Sequence, residues 1–172
     1  GTIKVPDSRI DKLSEIFQPK KTTYAEMVFV DFPAAAEAAG SHALDTATVT
    51  QMRESEALVQ VVRGFTDAIS GDAPNPVRDL ANFKSELLLS DLVLIEKRLE
   101  RVKKEKGKEQ EHALLERCKA FLDEERPLRQ IDLSAEEGSA IAGFGFLSRR
   151  PLMVVLNVGE ADVAANMPPA AA

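Results

Sequence analysis

A few residues of the 172-residue chain have the type and placement to do chemistry. Asp31 follows the apolar run Met27-Val28-Phe29-Val30. A carboxylate at the carboxyl end of a buried strand lies where open α/β sheets bind their ligands. Lys97, Arg98, Arg101, Lys103, Lys104, Lys106 and Lys108 crowd into one stretch, interleaved with Glu100, Glu105 and Glu109. Such a stretch is either a solvated helix end or a set of cations offered to RNA phosphates. It contains no aromatic side chain, so it offers no base stacking. His42 falls in an alanine-rich loop, and His112 on the surface of a helix. Cys118, the single cysteine, excludes an internal disulfide and is expected to fill a small core position in a reducing compartment.

The elements that position these residues are legible from capping and periodicity. Asn75 suits an N-cap and Pro76 the first helical position, so a long helix is expected to start there. Counted in sevens, Ala81, Leu88, Ile95 and Val102 fall on one line, with Leu92 and Leu99 beside it, as in a helix packed on another helix. Gly107 is expected as a left-handed C-cap. A second helix then carries Ala113, Leu114, Cys118, Phe121 and Leu122 on one side, completing an antiparallel hairpin. The short β-branched runs 57–65 and 151–160 flank this hairpin and predict strands buried on both faces. A further strand is expected over 23–32. Helices are expected after Asp7 or Ser8, over roughly 45–54, and after the capping box Ser134 to Glu137. The segment 33–43 has no clear structure.

The 44% hydrophobic and 29% charged fractions describe a folded chain rather than a disordered one. The net charge of −6 and pI near 5.1 exclude a global basic field for nucleic acid. No apolar run reaches the roughly 20 residues that cross a bilayer, so no membrane partner is expected and the cytoplasm is the default location.

Taken together, VPDxRxDKLxEIFxPKK, a strand ending in Val-Asp, VVRxF, the proline-led helix with ELLLSDLVLIEKRLER, and PLMVVLNVGE resemble the YchF group of the Obg-like, translation-factor-class P-loop NTPases. The similarity runs from about residue 1 to residue 162. It implies an α/β, P-loop NTPase-like fold with a mostly parallel sheet and an inserted helical hairpin. Residues 1–74 and 127–165 would form a partial G-domain-like core, 75–126 the hairpin and 166–172 a disordered tail.

By this resemblance Asn157 and Glu160, in Asn157-Val158-Gly159-Glu160, stand where the family reads the base of ATP or GTP. A carboxylate there accepts from guanine N1–H and N2–H₂, while adenine lacks the 2-amino group. Asp31 matches the aspartate that approaches Mg²⁺ through water, although a turn residue at a strand end remains an open alternative. The family's Asp-x-x-Gly becomes Asp31-Phe32-Pro33-Ala34, losing the glycine whose N–H meets the γ-phosphate. The loop 66–74 lacks the family's histidine, and no catalytic residue is assigned.

No Gly-x-x-x-x-Gly-Lys-Ser/Thr loop occurs in the chain. The family's phosphate loop, first strand and first switch would precede Gly1, and its ubiquitin-like domain has no counterpart. The expectation is a chain that belongs to a longer protein or has lost an N-terminal piece. Strand edges left open in this way would invite pairing between copies. The resemblance implies a nucleotide-binding protein associated with ribosomes, weak or inactive in this chain, with Lys103, Lys104 and Lys106 at the hairpin tip meeting ribosomal RNA. The alternative is a nucleotide-independent interaction module working through the hairpin.

Overall fold

The computed structural model describes residues 1–32, 44–66, 69 and 71–159. Two compact units are present, Gly1–His42 and Ala43–Ala172. The expectations for Pro33, Ala34, His42, Glu160 and the tail 166–172 lie outside the described residues.

In the first unit, β1 (Thr2–Lys4) pairs antiparallel with β2 (Glu26–Val28), Ile3 opposite Met27. Between them runs α1 (Ser8–Phe17). Asp7 caps it, its carboxylate accepting from the Arg9 backbone N–H at 2.9 Å and from the Arg9 guanidinium. Gln18, at φ 41, and Pro19 end it. The strand expected over 23–32 is only three residues long. Its ladder with β1 runs out where the Phe29 N–H reaches the Gly1 carbonyl at 2.7 Å, so Asp31 lies beyond the strand rather than at its end.

In the second unit, α2 (Thr46–Glu54) is capped by Asp45, which accepts from the Thr48 N–H at 2.9 Å. The strands β3 (Leu58–Arg63) and β4 (Leu152–Asn157) pair in parallel over six residues, with Val61 opposite Val155 and Arg63 opposite Asn157. Parallel neighbours require a crossover. Here it comprises α3 (Pro76–Val102), α4 (Glu109–Asp123), α5 (Ala135–Ala140) and three short 3₁₀ turns. Asn75 caps α3 through the Arg78 N–H at 3.1 Å, with Pro76 in the first turn. Arg98 meets Glu111, whereas Glu96, nearer the start of α3, meets Lys119 further along α4; the two helices therefore run antiparallel.

The core sits between these helices and the return to β4. Ile95, Leu99 and Val102 pack with Leu114, Leu115, Cys118, Leu122, Leu128, Ile141 and Phe146. The buried line on α3 is Leu87, Asp91, Ile95, Leu99 and Val102, not the expected heptad; Ala81 is exposed and Leu88 and Leu92 are half-buried. A straight helix turns every 3.6 residues, so a seven-residue repeat drifts across its surface. On α4, Leu115 rather than Ala113 is buried, and Phe121 is half-buried with the Arg126 guanidinium 3.9 Å above its ring. Gly107 is left-handed as expected, at φ 77, but α3 ends at Val102, and Gly107 serves the turn into α4. The strands also differ from expectation. Leu58 and Val62 are buried, yet Val59, Val61, Met153 and Val155, which share one face of the pair, are exposed.

Candidate functional site

The carboxyl ends of β3 and β4 form the edge at which α/β sheets hold ligands. Asn157 is the last residue of β4; its side chain is exposed and makes no hydrogen bond among the described residues. Its carbonyl accepts from the Gly64 N–H at 2.7 Å, which holds the two strand ends together. A side chain at position 64 would place Cβ 2.9 Å from Leu156 Cδ1 and 3.0 Å from the Asn157 carbonyl oxygen. Only glycine therefore fits this approach without displacement. Arg63 donates to the carbonyls of Phe65 at 3.2 Å and Asp72 at 2.9 Å, tying both residues to the strand end.

A buried polar junction gathers residues that lead into the amino ends of the same two strands. Asp91 is fully buried; Oδ1 accepts from the Leu147 N–H at 2.9 Å and from Arg53 Nη1 at 3.0 Å, and Oδ2 from the Ser148 N–H at 2.7 Å. Arg53 also donates to the Gly145 carbonyl at 3.0 Å, the Ser90 carbonyl at 3.2 Å and the Ser90 hydroxyl at 2.8 Å. Its own carbonyl accepts from Arg150 at 2.8 Å. Ser148 Oγ takes the buried Leu128 N–H at 3.2 Å. Gly145, at φ 61, brings its Cα beside the Arg53 backbone, where a Cβ would lie 3.2 Å from the Arg53 carbonyl oxygen. The junction thus joins α2, α3 and the 145–150 segment that feeds β4. A buried carboxylate with this many donors is held, whereas one without them would be costly.

Of the residues singled out by sequence, Asn157 lies at the parallel-strand edge, Asp31 is exposed in the Gly1–His42 unit, and Glu160 is outside the described residues. Among the described residues no group of three or more His, Cys, Asp or Glu side chains is gathered to hold a metal ion. Arg53, Gly64 and Asp91 were not singled out. The available signals were the glycine directly after the VVR run and the lone acid inside LLLSDLVLI.

At the other end of the helical pair, Arg98 binds Glu111 at 2.6 Å and Glu105 at 3.1 Å, Lys103 meets Glu100 at 3.5 Å, and Lys108 meets Glu111 at 3.2 Å. The Arg98 guanidinium, then Lys108, hold the Glu111 carboxyl below its ordinary range. His112 faces Glu116 at 3.7 Å on the α4 surface. Cys118 is buried in the core as expected, and that burial pushes its thiol up.

Along 170 residues the chain is 37% identical to the ribosome-binding ATPase YchF of Escherichia coli O157:H7, a match covering 93% of this chain and 47% of that protein. The chain belongs to the YchF, or Obg-like, family. It is also 32% identical over 176 residues to Obg-like ATPase 1 of Schizosaccharomyces pombe, covering 93% of this chain and 45% of the relative. The solved structure of the S. pombe YchF GTPase superposes with a TM-score of 0.78 at 28% identity, over 98% of this chain and 48% of that one. No family model matches the chain. The chain spans about half the length of the curated relatives it matches. The YchF-type fold, α/β and P-loop NTPase-like with a helical hairpin between parallel strands, is therefore the one expected.

Proposed function

We propose that the chain supplies the base-side half of a YchF-type, ribosome-associated nucleotide-binding protein in the cytoplasm, and that by itself it holds nucleotide weakly or not at all. The observation that carries this reading is Asn157, its side chain exposed and without a hydrogen bond among the described residues, at the end of the parallel strand to which the chain returns after the helical pair. With Glu160 it would face the base of ATP or GTP. The Asn amide can both donate and accept, and the Glu carboxylate accepts. Asp31 would act on Mg²⁺ through water beside the phosphates, as one carboxylate rather than a protein cage. Weak binding is expected because the chain contains no Gly-x-x-x-x-Gly-Lys-Ser/Thr loop and has Ala34 where the γ-phosphate glycine would be. Residues 75–126 act in this reading as a hairpin inserted into the core, with the cations of its turn end near ribosomal RNA. The ribosome-binding names of several relatives support the ribosome association in this reading.

Calorimetric titration of the chain with Mg·ATP and Mg·GTP tests the nucleotide half of the proposal. No saturable heat is expected, and micromolar affinity for either nucleotide would contradict it. A second reading, an interaction module that needs no nucleotide, is favoured by the cations near the hairpin turn that have no acidic partner among the described residues.

A further inference from the structure

The acidic side chains near the hairpin turn are already engaged. Glu111 and Glu105 hold Arg98, Glu111 also meets Lys108, Glu100 meets Lys103, and Glu96 meets Lys119. This pairing divides the basic stretch into two sets. Lys97, Arg101 and Lys104 are exposed and, like Lys106 in the turn beyond the helix, have neither an ion pair nor a side-chain hydrogen bond among the described residues. They are spaced four and three residues apart, which places them on one side of a helix. The Lys104 N–H still reaches the Arg101 carbonyl at 3.0 Å, so the helical path continues through the third position. At 1.5 Å per residue the three cations span about 10 Å along the axis. Glu100 and Glu105 are their acidic neighbours in sequence, but both carboxylates are directed to Lys103 and Arg98. Toward the start of α3 the same line continues as exposed Leu89 and Val93, so the charge is confined to the turn end of the hairpin.

We propose that Lys97, Arg101 and Lys104 form a contact line for the sugar–phosphate backbone of RNA, and that the paired cations Arg98, Lys103 and Lys108 are structural. This rests on the ribosome-associated reading above and names the side chains that would carry it. A row of cations without local counter-charge repels itself and is stabilised by a partner whose negative charge also repeats along a line, as phosphates do. Lysine binds phosphate as a point charge, and arginine adds a two-pronged contact. With no aromatic side chain in the stretch, the contact should be indifferent to base sequence.

The test is fluorescence anisotropy of the full chain with a labelled RNA duplex, titrated between about 50 and 200 mM salt. The triple variant Lys97→Gln/Arg101→Gln/Lys104→Gln should lower the slope of log K against log salt by about 2 to 3, near 0.7–0.9 per lost phosphate contact. The control variant Lys103→Gln/Lys108→Gln should change it by less than about 1. All five positions are exposed, and unchanged circular dichroism confirms that the fold is kept. An unaltered slope in the triple variant, an equal fall in the control, or binding of polyglutamate as tight as that of RNA overturns the contact line while leaving ribosome association in place. If the unmodified chain binds neither RNA nor ribosomes, the reading beneath it falls as well.

Discussion

Arg53 and Asp91, separated by 38 residues in sequence, meet at 3.0 Å around a carboxylate sealed from solvent. The same carboxylate holds the Leu147 and Ser148 amides, so one side chain of α3 fixes both the end of α2 and the approach to β4. The helical pair is thereby tied to the strand that ends in Asn157.

Asp91→Ala would leave a guanidinium and two backbone N–H groups without their acceptor. The expected loss is about 3–5 kcal/mol, read as a lower urea midpoint at constant m-value. Asp91→Asn keeps an acceptor oxygen and should cost less, about 1–3 kcal/mol. A double-mutant cycle with Arg53→Ala should show strong coupling between the two positions; additive losses would mean that the junction is not a unit.

Gly64→Ala should lower stability by about 1–3 kcal/mol, because the new methyl group meets the Leu156 side chain and the Asn157 carbonyl. Amide resonances of residues 155–158 should shift in the variant, whereas those of α4 should not. A silent substitution would show that the strand ends are further apart than described.

Cys118 should resist a soluble thiol reagent in the folded chain and react promptly in denaturant. Burial both covers the sulfur and disfavours the thiolate. The native rate should be slower by at least on the order of a hundredfold. Prompt stoichiometric labelling without denaturant would contradict the core packing.

The Glu137 carboxyl is held below its ordinary value near 4.5, first by the Arg117 guanidinium and then by the Ser134 backbone N–H. A lowered folded pKa contributes stability that is complete above the unfolded value and is lost as pH falls through the folded one. Thermal midpoints measured from about pH 6 to pH 3 should therefore converge for the unmodified chain and Glu137→Gln at the acid end, with the unmodified chain higher near pH 6. A gap that widens toward low pH would reverse the assigned sign.

Much of this architecture was legible because it is local. Asn75 and the Ser134–Glu137 box are caps defined within three residues, and both form as read. The parallel partners β3 and β4 were recognisable as β-branched runs and lie within the expected spans. What was not legible depends on distant partners. Asp91 reads as a solvated helix residue until Arg53 and the amides 56 and 57 residues downstream come to meet it. The length of β2 depends on β1, a separate segment, and so could not be read from the apolar run 27–30 alone. Likewise, the division of the basic stretch into paired and unpaired cations depends on α4, which supplies Glu111. Position 64 was accessible in principle, since a glycine directly after a strand often marks a close backbone approach.

Co-sedimentation of the chain with ribosomes at low salt, with and without Mg·ATP or Mg·GTP, tests the proposed role most directly. The chain should pellet with ribosomes to the same extent in all three conditions. Failure to pellet, or pelleting only when nucleotide is added, would contradict a ribosome-associated half that holds little nucleotide by itself.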